Sequence, residues 1–402
     1  MVDELNGTLL DIDVGVKFHD LCIPSLMFVD DIILLAESAE DLQKSLDATY
    51  HFFCKNHLRI SQTKSNIIVF NCTSKTPKQT WTFGAKVLEE VNQYKYLGHI
   101  LSPNLSFKDD LRHKKGLVEA ALATCMAVAS DEILHHIRVD TLLQLYNACI
   151  VPIILYGTEV WTHTSLDVLE QLQHKCLKRL MKLPTSTPKA ATLIETGILP
   201  IKILVHRKQM SFHHKLKNSP ESLAGRVLEQ QEAAQPVSHS WSTHLQETLR
   251  RYNLQINEEL SQEQWKSAIR KPSQIVGVEE VNEAATGLSK LARLVQSKRQ
   301  MKREEYLSSL PHYHARLIFK ARCRMLNLRN NFRNGKTSIL CELCGEETED
   351  DDHIIDRCSE LQALRNAGGF SRDELFDPCT TVERLGELAN FLVHVENTLR
   401  KL

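Results

Sequence analysis

The sequence predicts an α+β chain in which short strands are confined to residues 1–104 and helices fill most of the remainder. Three observations predict it. Short apolar or β-branched runs bounded by turn residues (SLMFVDDIILLA at 25–36, SNIIVF at 65–70, YKYLGHIL at 94–101) read as strands and hairpins. From about residue 105 the apolar spacing changes to the helical period. Near the C-terminus, CELCGEETEDDDHIIDRC sets three cysteines and a histidine in a C-x2-C-x8-H-x4-C pattern.

The 402 residues allow two or three domains. A hydrophobic content of 42% with 25% charged residues is ordinary for a globular protein, and the net charge of -1 names no partner by itself. The acidic start MVDELNGTLLDIDV lacks the basic region and apolar core of a signal peptide. The most apolar stretch, ACIVPIILYG, falls well short of the roughly 20 residues that span a bilayer. These features predict an intracellular, soluble protein without a membrane partner. Most of the eleven cysteines then read as reduced core thiols.

In chain order, residues 23–36 read as strand, turn, strand. Ser38 with Asp41 three residues on predicts a helix start, and Leu42, Leu46, Thr49, Tyr50 and Phe53 predict its buried face to about Asn56. SNIIVF is read as a strand, NCTSKTPKQ as a connection, and WTFGAKVLEEV and YKYLGHIL as further short strands bending at Gly98. Leu142, Leu145, Tyr146, Cys149, Ile150 and Ile153 form one helical stripe. Thr164 with Asp167 opens another helix, with Leu166, Leu169, Leu172, Cys176, Leu177 and Leu180 on its inner face. Residues 217–243, rich in Ser, Gln, Pro and Ala, read as a linker, followed by a weakly patterned helical region to 297. A basic helical segment occupies 298–340, the Cys/His motif 341–358 and a helical tail 359–402.

Two adjacent acids, Asp30 and Asp31, interrupt the apolar run SLMFVDDIILLA. In a buried strand they would be costly, whereas at a hairpin tip both carboxylates can face a cleft. Close carboxylates repel unless a cation lies between them, so the pair suits a divalent metal. FVDD resembles the catalytic motif C of reverse transcriptases. The helix AEDLQKSLDATYHFFCKNH followed by LRISQTKSNIIVF resembles the family's motif D, and YKYLGHIL resembles motif E, the primer-grip hairpin. PIILYGTEVW and ATLIETGILPI resemble the thumb region of non-LTR (LINE-like) retrotransposon proteins. The resemblance implies a partial reverse-transcriptase palm at 1–104 and a helical, thumb-like region at 105–216. It implies that Asp30 and Asp31 hold Mg2+ and that Lys64 lies near an incoming triphosphate, with an RNA template and a DNA primer as partners.

Two-metal nucleotidyl transfer also needs a carboxylate from a second strand. In the family that residue belongs to motif A, upstream of motif B, and MVDEL resembles the end of the motif B helix. The expectation is a truncated palm without motif A and most of motif B, with Asp11 and Asp13 as loop acids. Such a chain would be catalytically incomplete and would depend on another chain to supply the rest of the palm.

Cys341, Cys344, His353 and Cys358 suit tetrahedral, structural Zn2+. The same arrangement resembles the Cys-Cys-His-Cys motif of non-LTR retrotransposon proteins. Between Lys298 and Lys336, eleven Lys or Arg face two Glu with aromatics interleaved. That pattern predicts nucleic-acid contact through Arg316, Lys320, Arg322, Arg324, Arg329 and Arg333. Two functions follow: an RNA-directed DNA polymerase fragment, or a non-catalytic zinc-containing nucleic-acid-binding protein derived from a retroelement.

Overall fold

Ser38 begins the first long helix as predicted: its hydroxyl oxygen accepts the Asp41 amide at 3.1 Å, and the helix Ala39–Lys55 ends on Asn56. The structure, a computed structural model, describes residues 2–61, 63–71, 79–128, 137–162, 166–234, 240–297, 301–331 and 339–401. The chain divides into two units, Met1–Lys114 with Val160–Thr164 and Phe212–Glu247, and Lys115–Glu159 with Ser165–Ser211 and Thr248–Leu402.

In the first unit, α1 (Val2–Asp11) and α2 (Ala39–Lys55) flank short strands. β1 (Val16–Phe18) pairs antiparallel with β2 (Leu21–Ile23), and β3 (Ser25–Phe28) with β4 (Asp31–Leu34). β5 (Asn66–Ile67) lies parallel to β7 (Lys86–Glu90), which also pairs antiparallel with β6 (Trp81–Phe83). β8 (Tyr94–Tyr96) and β9 (His99–Leu101) form a hairpin. The strand expected over 65–70 shrinks to the two residues that pair with β7, and beyond it Asn71 is left-handed, with its amide donating to the Pro103 carbonyl at 3.0 Å. The core joins Leu5, Leu9 and Val14 to Leu46, Phe52, Phe53, Ile67, Trp81, Phe83 and Leu88. Gly84 turns β6 into β7 with φ 60°, and a Cβ there would lie 2.4 Å from the Tyr50 ring.

In the second unit, α3 (Lys108–Val128), whose first turns belong to the first unit, is followed by α4 (Val139–Leu145) and α5 (Val151–Leu155). A single π turn, Tyr146–Ile150, joins α4 to α5. That turn inserts one residue and rotates the predicted stripe. Leu142, Leu143, Tyr146, Ile150 and Ile154 are buried, while Cys149 is exposed. In α6 (Asp167–Leu180) the apolar face buries as predicted, and it carries Gln173 with it. Gln173 donates to the Leu199 carbonyl at 3.0 Å and accepts the Ile201 amide at 2.9 Å. The opening Thr164 lies outside the described residues. α7 (Lys189–Thr196) ends on Gly197, and α8 (Ile201–Lys217) follows, its residues from Phe212 on belonging to the first unit.

The segment read as a linker belongs to the first unit and contains α9 (Leu223–Ala233). Ser222 caps it through the Gly225 amide at 3.0 Å, and Leu228 is buried. Ser222 is therefore a cap, which composition alone cannot distinguish from a linker residue. Next come α10 (Trp241–Arg251) and α11 (Gln262–Thr286), the latter opened by a Ser261–Gln264 capping box. α12 (Ala292–Ser297), α13 (Glu305–Ser309), α14 (His312–Arg322), α15 (Gln362–Gly368) and α16 (Val382–Leu399) complete the helices. α14 packs on α16, and the Cys/His motif lies between them in sequence.

Candidate metal centres

The register Phe28↔Asp31 closes β3 and β4 around the two-residue turn Val29–Asp30. Val29 has φ 56°, a conformation that a β-branched residue adopts only under constraint. Both carboxylates are exposed, and the turn presents Val29 with 86% of its surface open and Phe28 with 57%. Met27 and Leu34 pack against the core, which anchors the hairpin. The burial problem raised by the sequence is thus absent: the acids stand at the tip. Their hard oxygen donors suit Mg2+. Among the described residues they stand as a pair, without a third carboxylate, histidine or cysteine converging on them.

Tyr96 on the β8–β9 hairpin has its phenol pKa pushed up by burial and then by the Asp31 charge. Nothing in the sequence pattern marked Tyr96. Lys64 is exposed in the turn before β5, and its carbonyl accepts the Tyr94 hydroxyl at 2.9 Å. Asp110, buried at the start of α3, accepts the Ile100 amide at 3.1 Å and pairs with His99 Nδ1 at 3.1 Å. That pairing fixes the β8–β9 hairpin to the first turn of α3.

The four residues of the Cys/His motif do converge. Their donor atoms all lie within 4.8 Å of one another. Cys341 Sγ is 3.9 Å from Cys358 Sγ, and Cys344 Sγ is 3.3 Å from His353 Nε2. Ligands about 2.0–2.3 Å from a tetrahedral zinc lie about 3.3–3.8 Å apart, so this set fits structural zinc. Local backbone explains the convergence. Gly345 at φ 72° turns the chain so that its amide donates to the Cys341 carbonyl at 2.8 Å. A bridge between Leu340 and Thr348 closes the knuckle, and the π turn His353–Arg357 brings Cys358 back to it. Burial opposes ionisation of Cys344, but the amides of Glu346 and Glu347 outweigh it and bring the thiol to about 7. Glu347 lies 3.2 Å from His353 Nδ1, which leaves Nε2 to face the cysteines.

Part of the acidic run points inward, a role that sequence reasoning missed: Glu349 and Asp351 are buried and Asp352 is half-buried, while Glu346 and Glu347 are exposed. Glu349 accepts the Arg329 amide at 2.8 Å and the Glu342 amide at 2.9 Å. Asp352 pairs with Arg324 at 2.8 Å and with buried Arg372 at 3.0 Å. Asp351 accepts from Asn331 at 2.7 Å.

These carboxylates, and others, engage the cations assigned to nucleic acid. Arg322 is buried and donates to Glu195 at 3.0 Å, with Glu304 at 3.6 Å. Burial works against its charge, and Glu195, Tyr306 and Glu304 outweigh that, so its pKa lies above the ordinary arginine value. Lys320 is buried beside Glu396 at 3.5 Å, Arg329 pairs with Glu342, and Arg316 lies 5.0 Å from the centre of the Tyr313 ring. A phosphate contact through Arg322 would have to break its pair with the buried Glu195, and one through Lys320 its pair with the half-buried Glu396. Arg333 lies outside the described residues.

Over 225 residues, 52% of this chain, the sequence is 24% identical to the RNA-directed DNA polymerase from mobile element jockey of Drosophila funebris. The chain is distantly similar to a retroelement polymerase. It spans 24% of the length of that Drosophila protein. No family model matches the chain. Similarity to the jockey polymerase supports a retroelement-derived, reverse-transcriptase-like protein, in agreement with the resemblance seen in the motifs. Among the described residues, no helix is long and apolar enough to cross a membrane.

Proposed function

We propose that this chain is the palm-to-knuckle portion of a non-LTR retrotransposon reverse transcriptase, acting in RNA-templated DNA synthesis. The observation that supports it most is the β3–β4 hairpin, which presents Asp30 and Asp31 together at an exposed tip. Mg2+ held there would stabilise charge developing on a transferred nucleotidyl group. Asp30 and Asp31 would bind and orient the ion, and Lys64 would lie near the triphosphate. Because two-metal transfer needs a further carboxylate and this pair has none among the described residues, that ligand would come from another segment or chain. The Cys3His knuckle would hold structural zinc. RNA template and DNA primer are the corresponding partners.

Primer extension on an RNA template tests this reading. The chain is assayed by itself and mixed with the remaining part of the jockey polymerase. Mg2+-dependent incorporation is expected in the mixture and is expected to vanish with Asp30→Asn or Asp31→Asn. Incorporation by the mixture that is indifferent to both substitutions overturns the assignment. Incorporation by the chain alone overturns the need for a supplied ligand.

A further inference from the structure

Three thiolates and a neutral imidazole around Zn2+ leave one unit of net negative charge. Cys341, His353 and Cys358 are buried and Cys344 is half-buried, so such a charge is partly removed from water and is stabilised by a cation close by. Several cations near the knuckle already have carboxylate partners: Arg324 and Arg372 face Asp352, Arg357 faces Glu347, and Arg329 faces Glu342.

Arg365 on α15 differs from them. Its side chain is buried, with 9% of the residue exposed. Nη2 donates to the carbonyl oxygen of the ligand Cys358 at 2.6 Å. Nη1 is buried and has no hydrogen-bond partner among the described residues. A buried guanidinium with an unused donor and, among the described residues, no carboxylate partner is expensive in isolation. The left-handed residue Gly369 ends α15, and its amide donates back to the Arg365 carbonyl, which fixes the helix end that carries the side chain. The guanidinium is therefore held at the backbone of Cys358, one of the four residues of a cluster whose charge with zinc would be opposite to its own.

We propose that Arg365 is the counter-cation of the zinc centre. It offsets the excess negative charge of the three thiolates, and the thiolates offset the desolvation of Arg365. This rests on the knuckle holding zinc. Arg365 is a positioning and charge-balancing residue, and it is not a ligand.

Zinc content of the purified chain and competition with a chromophoric chelator test the proposal, using wild type, Arg365→Met, Arg365→Gln and Arg365→Lys. Wild type is expected to hold one zinc. Arg365→Met is expected to weaken binding about 10–100-fold, the range seen when second-layer partners are lost. Arg365→Gln keeps a donor for the Cys358 carbonyl but no charge, and is expected to bind as weakly as Arg365→Met. Arg365→Lys is expected to recover most of the loss. In the cobalt-loaded proteins, the thiolate-to-cobalt charge-transfer band is expected at lower energy in the two uncharged variants, with tetrahedral d–d intensity retained. Wild-type affinity in Arg365→Gln would mean that the carbonyl hydrogen bond suffices and would overturn the proposal. If Arg365→Met fails to fold, the Gln and Lys comparison decides the matter. Wild type without zinc overturns the metal reading itself.

Discussion

Glu195 has no exposed surface, and its two oxygens are divided between the Tyr306 hydroxyl and Arg322. Removing one member of such a buried pair strands the other charge, which typically costs about 3–5 kcal/mol. Arg322→Met is therefore expected to lower the urea midpoint of unfolding steeply, and adding Glu195→Met is expected to return part of the loss. A loss of RNA binding with unchanged stability would contradict this placement. His312 is buried and donates from Nε2 to the Leu180 carbonyl at 3.0 Å. Burial lowers its pKa to about 4, below the unfolded value of about 6.5. A lowered histidine value means that the unfolded chain takes the proton first. The stabilisation is thus complete above about pH 6.5 and is lost as the pH falls towards 4, by up to about 3 kcal/mol. Urea titrations at neutral and mildly acidic pH should show this decline, and His312→Gln should reduce it. At the hairpin tip, Val29→Gly relieves the left-handed conformation and is expected to raise stability by about 0.5–1 kcal/mol in thermal unfolding.

At the level of single elements, Gly197 ends α7 with φ 65°, and a Cβ there would meet the Arg303 amide nitrogen at 2.4 Å. Gly197→Ala therefore adds a steric conflict to the usual cost of about 1 kcal/mol for a left-handed alanine. Thermal unfolding should show a larger drop than that cost alone. How well elements could be read from sequence depended on whether the signal was local. The Ser38 cap, the β3–β4 hairpin and the inner face of α6 follow from neighbouring residues, and the structure places them as expected. The π turn at Tyr146–Ile150 and the cap at Ser222 were not legible, because a register shift and a capping role depend on what the helix packs against.

Across the whole molecule, the Cys/His knuckle could be read because four ligands at fixed spacing carry their own geometry. The ion pairs inside the basic segment could not, because the partners lie far away in sequence: Glu195 for Arg322 and Glu396 for Lys320. Cationic character was legible, but pairing is a property of the folded chain. The carboxylates of Asp351 and Asp352 tie the knuckle to Arg324, Asn331 and Arg372. Chelation of zinc is accordingly expected to raise hydrogen exchange over residues 324–331 and 341–372 while leaving the β3–β4 hairpin unchanged. Equal deprotection of both would contradict a knuckle acting locally.

The π turn between α4 and α5 also bears on how this chain tolerates change. Deleting a residue from a helix ordinarily swings everything beyond it by about 100° and exposes the buried side. Here Asn147, Ala148 and Cys149 are exposed, and the turn already contains one residue more than an α-helix requires. Losing Ala148 would set Tyr146 and Ile150 three apart instead of four, still on the same face. This is a place where a one-codon deletion should pass with a nearly wild-type melting temperature, and where lineages of this protein can differ in length without rebuilding the core.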